Sequence, residues 1–206
     1  MRPYIKPGVK ERALALRLEE NLKKTGCRRI PFDIIVASGP HAAMPHARPT
    51  ERNITQGDFV IIDWGGEADG YFSDMTRTLL VEGDNLRRKK RIYHTVLRAN
   101  KRAIARVLPG RRSREIDCSA REVIEKAGYS QYFGHATGHG VGLQIHELPR
   151  ITWNKKEIIR ENMVFTIEPG IYVPGLGGVR IEDMVIAKTM RPVVLTSLPK
   201  QLDIIS

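Results

Sequence analysis

Cysteine is nearly absent: the 206 residues hold only Cys27 and Cys118. That leaves no disulfide framework and no cysteine zinc site. Aromatic residues are also scarce, at 6%, and they do not alternate with basic residues as a nucleic-acid stacking surface would require. No apolar run approaches the roughly 18 residues of a membrane helix, so no membrane partner is expected. The opening residues 1–10 lack the apolar stretch of a secretion signal, and the expected setting is cytoplasmic. Acidic charge is in the minority, with 23 Asp and Glu against 34 Lys and Arg and a net charge of +11. The basic runs 87–91 and 111–114 carry no nucleic-acid motif, so they are expected to be solvated helix faces rather than a nucleic-acid site. What is present, 41% hydrophobic and 28% charged residues, is the mix of one globular domain.

Periodicity predicts a helix over 8–25, with Gly26 as its stop, and a strand over 32–37 followed by a loop from Gly39 to Pro49. A second strand is expected at 58–64, a turn at 65–70 with Asp69-Gly70 as the hairpin signal, and a third strand at 71–81. A long helix follows over 85–107, where Ile92, Val96, Ala99, Ala103 and Val107 form one face. Ser113 is the expected N-cap of the next helix, with Ile116, Ala120, Val123, Ile124 and Ala127 on one face and Gly128 after it. Strands at 163–167 and 179–186 close the chain around a glycine-rich loop. The order reads as one α+β domain with two similar halves.

Carboxylates fall on apolar strands. In 58–64, Phe59, Ile61 and Asp63 share a face. A turn at Ala68-Asp69 sets Asp63 opposite Asp74; a turn at Asp69-Gly70 sets it opposite Thr76, with Asp74 as its diagonal neighbour. Both arrangements put the two acids on one face, whereas a three-residue loop without a bulge would separate them. Glu168 ends one strand of the second hairpin and Glu182 stands on the other. They oppose each other if the turn centres on Gly175. Four buried carboxylates need neutralising. Arg77 or Arg180 could do this as an ion-pair network, or metal could. Four negative charges match two divalent ions, and oxygen ligands in this number suit ions such as manganese, with zinc, cobalt or iron possible where an imidazole joins. Of the six histidines, His135, His139 and His146 cluster in 134–147, where glycines flanking His139 would let backbone approach an ion or ligand. His94 lies in the basic helix and is expected at the surface.

The runs 38–46 (SerGlyProHisAlaAlaMetProHis), 62–65 (IleAspTrpGly), 73–78 (SerAspMetThrArgThr), 137–142 (ThrGlyHisGlyValGly), 145–147 (IleHisGlu), 166–172 (ThrIleGluProGlyIleTyr) and 178–183 (GlyValArgIleGluAsp) together resemble the Xaa-Pro peptidases. These are the Xaa-Pro aminopeptidases and Xaa-Pro dipeptidases (prolidases), relatives of methionine aminopeptidase. The resemblance implies a pita-bread fold: a curved antiparallel sheet with helices on its outer face and pseudo-two-fold halves. It implies that 1–206 is the catalytic domain, beginning after the family's N-terminal domain and first helix. It also implies a dinuclear site of Asp63, Asp74, His139, Glu168 and Glu182, in which Asp63 serves one ion, His139 and Glu168 the other, and Asp74 and Glu182 both. His46 and His146 match substrate-side catalytic histidines, with Glu168 as proton carrier. His135 matches a pocket residue, and Tyr172 and Arg180 match groups that support the first aspartate. The implied substrates are peptides with proline second, and a homodimer is common among such enzymes. Two departures stand out: His41 where Asn is common, and Trp64 where Phe is usual. Methionine aminopeptidase-like activity, or an inactive binding module of the same fold, is the alternative reading.

Overall fold

The computed structural model describes residues 1–206. Helix α1 (Glu11–Lys24) leads into β1 (Ile35–Ser38), β2 (Phe59–Trp64), β3 (Glu67–Ala68), β4 (Tyr71–Phe72) and β5 (Met75–Val81). Helices α2 (Arg87–Ile104) and α3 (Ser113–Lys126) follow. The second half holds β6 (Gly138–Gly140), β7 (Glu147–Ile151), β8 (Val164–Ile167), β9 (Gly170–Val173), β10 (Gly177–Arg180), β11 (Asp183–Ile186), β12 (Val193–Val194) and β13 (Ile204–Ile205). One sheet runs β1-β2-β5-β13 and another β12-β11-β8-β6-β7, with the short pairs β3-β4 and β9-β10 between them. All pairings are antiparallel except β13 with β5.

Both faces of β2 are apolar because each meets its own core. Phe59 and Ile61 join the larger cluster with Ile92, Val96, Ala99 and Ala103 of α2 and Ile116, Ala120 and Ile124 of α3. Val60 and Ile62 join Leu14 and Leu18 of α1 in the smaller one. Each such buried aliphatic contributes roughly 1.5–3 kcal/mol, so the 3.6-residue face of α2 is reason enough for its docking. The two sheets are tied together by Glu182 N donating to Thr76 O (3.2 Å) and by Thr78 Oγ1 donating to Arg180 O (2.8 Å). No helix is long and apolar enough to cross a membrane. Arg87, Arg88, Lys90, Arg91 and His94 line the exposed side of α2.

Several element boundaries differ from expectation. Helix α1 starts at Glu11, not at residue 8, because Gly8 adopts a left-handed φ of 87°. Arg112 is the N-cap residue of α3; Ser113 is its first helical residue, and its hydroxyl donates to Glu157 Oε2 (3.1 Å). The expected strands 71–81 and 179–186 are each broken, at Ser73-Asp74 and at Ile181-Glu182. Both breaks coincide with the acidic positions.

Candidate metal centre

The hairpin turn resolves to Asp69-Gly70. Ala68 pairs with Tyr71, and Asp69 and Gly70 both have positive φ (51° and 84°), the type I′ geometry. Asp63 therefore faces Thr76, and Asp74 is its same-face diagonal. In the second hairpin Val173 pairs with Gly177 and Ile167 with Asp183. This register is centred on Gly175 and sets Glu168 opposite Glu182. His139 arrives on β6, between β7 and β8. Its flanking glycines have a different use from the one expected. A Cβ on Gly138 would overlap the Thr166 carbonyl, and one on Gly140 would overlap the Leu148 carbonyl. They let β6 press against its neighbouring strands and leave ion approach to the His139 side chain.

The arginines divide the acids between them. Arg180 Nη2 donates to Asp63 Oδ2 (2.5 Å), while Arg77 Nη2 donates to Asp183 Oδ1 (2.8 Å) on the far side of the strand. Arg180 also donates to Tyr172 Oη (2.8 Å) and Thr76 Oγ1 (3.1 Å). Four carboxyl groups thus face one guanidinium, and three of them have no cationic partner. Asp63 Oδ1 is buried with no hydrogen-bond partner. Glu182 keeps one bond, from Thr76 Oγ1 (2.6 Å), and Glu168 a weak one, from Thr166 Oγ1 (3.3 Å). Burial, helped by repulsion from Asp63, raises Asp74 well above the carboxylate range. Burial likewise raises Glu182, with Asp74 adding to it, and pushes Glu168 up to about 7.

His139 fits a cation between these groups. Its Nδ1 donates to Gly140 O (3.0 Å), and burial holds the ring down to about 4, so it is neutral with a bare Nε2. That nitrogen lies 3.6 Å from Asp74 Oδ2 and 3.5 Å from Glu168 Oε1. No hydrogen bond joins this nitrogen to either carboxyl group, and a cation placed among the three would satisfy all of them. Ligand atoms of Asp74, His139 and Glu182 lie within 4.8 Å of one another. The oxygen-rich set with one imidazole and the orphaned Asp63 oxygen suits divalent metal ions.

A cavity of about 400 Å³ opens onto this cluster and collects nearly every residue named from sequence. His46, His135, His139, His146, Arg180 and all four acids line it, with Phe32, Ile35 and Pro45 as apolar wall. Tyr172 stands behind, bonded to Arg180 and to His135 Nε2 (2.9 Å). His135 Nδ1 is also engaged, with Ala136 O (2.7 Å), and burial pushes its pKa down to about 3. It is a neutral wall with no free donor. His46 and His146 are exposed at the mouth, and the His146 ring lies 4.3 Å from that of His139. The sequence reading missed Arg150, which lines the cavity without an ion pair. It also missed Glu11, whose wholly buried carboxylate accepts from Ser38 N and from Thr50 Oγ1, both at 2.7 Å, beneath the loop that carries His46.

The sequence matches the profile of metallopeptidase family M24 over residues 1–189. The chain belongs to metallopeptidase family M24. Divalent metal ions come with that membership, as the cluster itself indicates. An Xaa-Pro dipeptidase of Pyrococcus furiosus is 47% identical over 182 residues, which is 88% of this chain and 52% of that protein. An Xaa-Pro dipeptidase structure from Bacillus anthracis superposes with a TM-score of 0.95 at 43% identity, covering 98% of this chain and 57% of that one. An X-Pro aminopeptidase structure from Thermotoga maritima gives 0.92 at 37%, with 98% and 57% coverage. The M24 chain described here thus spans about half the length of the relatives it matches, and it has their pita-bread fold.

Proposed function

We propose that residues 1–206 form a catalytic domain that hydrolyses Xaa-Pro bonds at peptide N-termini or in dipeptides. The observation that carries this reading is the convergence of a bare imidazole nitrogen, an orphaned carboxylate oxygen and three under-neutralised acids on one cavity. The named activities of the dipeptidase and aminopeptidase relatives support it. Asp63, Asp74, His139, Glu168 and Glu182 would hold two divalent ions, manganese first, with cobalt, zinc or iron as substitutes. Asp74 and Glu182 would be shared between them. When bound, such ions lower the pKa of water and polarise the scissile carbonyl.

The remaining work falls to the chain's own side chains. Glu168 would take a proton from the attacking water and deliver it to the departing proline nitrogen. His146 or His46 donates to the developing oxyanion. Tyr172 donates to His135 Nε2 and accepts from Arg180, so Asp63, Arg180, Tyr172 and His135 form one fixed row. His135 with Phe32, Ile35 and Pro45 makes a wall for the proline ring, whose nitrogen brings no N–H to satisfy in the scissile bond. Arg150, unpaired at the cavity wall, suits the free carboxylate of a dipeptide. The two unpaired cysteines are consistent with a reducing, cytoplasmic setting.

Hydrolysis of Ala-Pro, an Ala-Pro-peptide and a Met-Ala-peptide tests the proposal. Chelation should abolish cleavage, and manganese or cobalt should restore it. His146→Ala should retain metal and lose about 10²–10³ in kcat. Arg150→Met should raise KM for Ala-Pro more than for the longer peptide. Preference for Met-Ala would favour the methionine aminopeptidase-like reading; metal binding without turnover would favour a binding module.

A further inference from the structure

The backbone ladder stops where the two glutamates stand. Strands β8 and β11 are paired as far as Ile167 and Asp183, and β9 and β10 resume pairing at Gly170 and Arg180. One long bond, Ile181 N to Pro169 O at 3.4 Å, crosses the gap. Glu168 N donates instead to Thr137 O (2.7 Å) and Glu182 N to Thr76 O (3.2 Å), so each peptide unit is tied to a different neighbour and little joins the two directly.

Asn100, wholly buried on α2, fills that gap. Its Nδ2 donates to Ile167 O (3.0 Å) and Ile181 O (3.2 Å), the carbonyls immediately before Glu168 and Glu182. Its Oδ1 accepts from Lys200 Nζ (2.8 Å), which also donates to Asp183 Oδ2 (2.5 Å), just after Glu182. The amide has one permitted orientation. An ammonium only donates and two carbonyls only accept, so the NH2 must face the strands. Arg77 closes the same network, donating to Glu182 O (2.6 Å).

We propose that Asn100 is a positioning residue for the metal centre: its amide, locked by Lys200, fixes the separation of the Glu168 and Glu182 backbones so that both carboxylates face the same cation. The inference rests on the metal-centre reading above. Carboxylate ligands need support of this kind, because small displacements at a metal site loosen it. Asn100 touches neither substrate nor metal and acts only through the two strands.

Cobalt titration of the metal-free chain, followed by calorimetry and by the visible d–d band, tests this. Asn100→Leu fills the space without donors; it should weaken cobalt binding by about 10–100-fold and shift the band. Lys200→Met leaves the strand contacts but unlocks the amide, and should give a smaller change in the same direction. Thr95→Val, on the same helix and equally buried, should stay within about twofold of wild type. Wild-type affinity and band in Asn100→Leu overturn the proposal, as does an equal shift in Thr95→Val. Should Asn100→Leu fail to fold, an unchanged band in Lys200→Met overturns it. If the wild type binds no cobalt, the metal-centre reading falls and this proposal with it, and that failure shows in the parent chain rather than in the variants.

Discussion

Burial holds Glu168 at about 7 and raises Asp74 and Glu182 well above their ordinary values, so the metal-free folded chain keeps protons that an unfolded chain has released. A raised pKa gives stability that is complete below the ordinary carboxylate value and is lost as pH climbs through the folded value. His139 and His135, depressed to about 4 and about 3, act in the opposite sense. Their contribution is present above the ordinary histidine value of 6.5 and is lost as pH falls towards 4. Above about pH 7 His135 and His139 are largely neutral in both states, and the raised acids set the direction of the slope. Metal-free protein should therefore lose thermal stability as pH rises from about 7 to about 8.5. Manganese should flatten or reverse that trend, since metal competes with the same protons. Calorimetry in EDTA and in manganese reads both slopes, and a flat EDTA profile contradicts the assignment.

Element placement depends on contacts that local pattern announces unevenly. The alternation in 59–63, the Asp69-Gly70 turn and the centring of the second hairpin on Gly175 were legible, because each is a local rule about side-chain period or backbone sign. The breaks at 73–74 and 181–182 were not, because they arise where two sheets meet. The choice between arginine and metal was likewise open in sequence. Only the fold shows Arg77 turned to Asp183 and Arg180 to Asp63, leaving three acids unmatched. Glu11 was invisible for the same reason: in a helix with charged neighbours it reads as a surface residue. It instead accepts from Ser38 N, Ser38 Oγ, Thr50 N and Thr50 Oγ1, joining α1 to β1 and the loop beyond. Glu11→Ala strands the buried Ser38 donors and removes the tie to Thr50, and should cost about 3 kcal/mol, or about 6–12 °C in melting temperature. An exposed control such as Glu20→Ala should change it little, and equal melting of the two variants would remove the anchoring role.

At the scale of the molecule, no local segment holds the proposed ligand set. Asp63 and Asp74 come from the first hairpin, Glu168 and Glu182 from the second, and His139 from β6. The set exists only when the two sheets are joined through Thr76, Thr78, Arg180 and Glu182. A metal that binds this arrangement, and the unfolded chain only weakly, must then stabilise the whole fold. At a hundredfold excess over its Kd the gain is about 2.7 kcal/mol, or about 5–10 °C for a chain of this size. The shift should grow with the logarithm of manganese concentration and vanish in Asp74→Ala and His139→Ala. Metal-free Asp74→Ala, relieved of one buried acid, should melt no lower than the metal-free parent. If manganese raised the melting temperature of Asp74→Ala as it does that of the parent, cations would be acting elsewhere on the surface, and the two hairpins would not be the site.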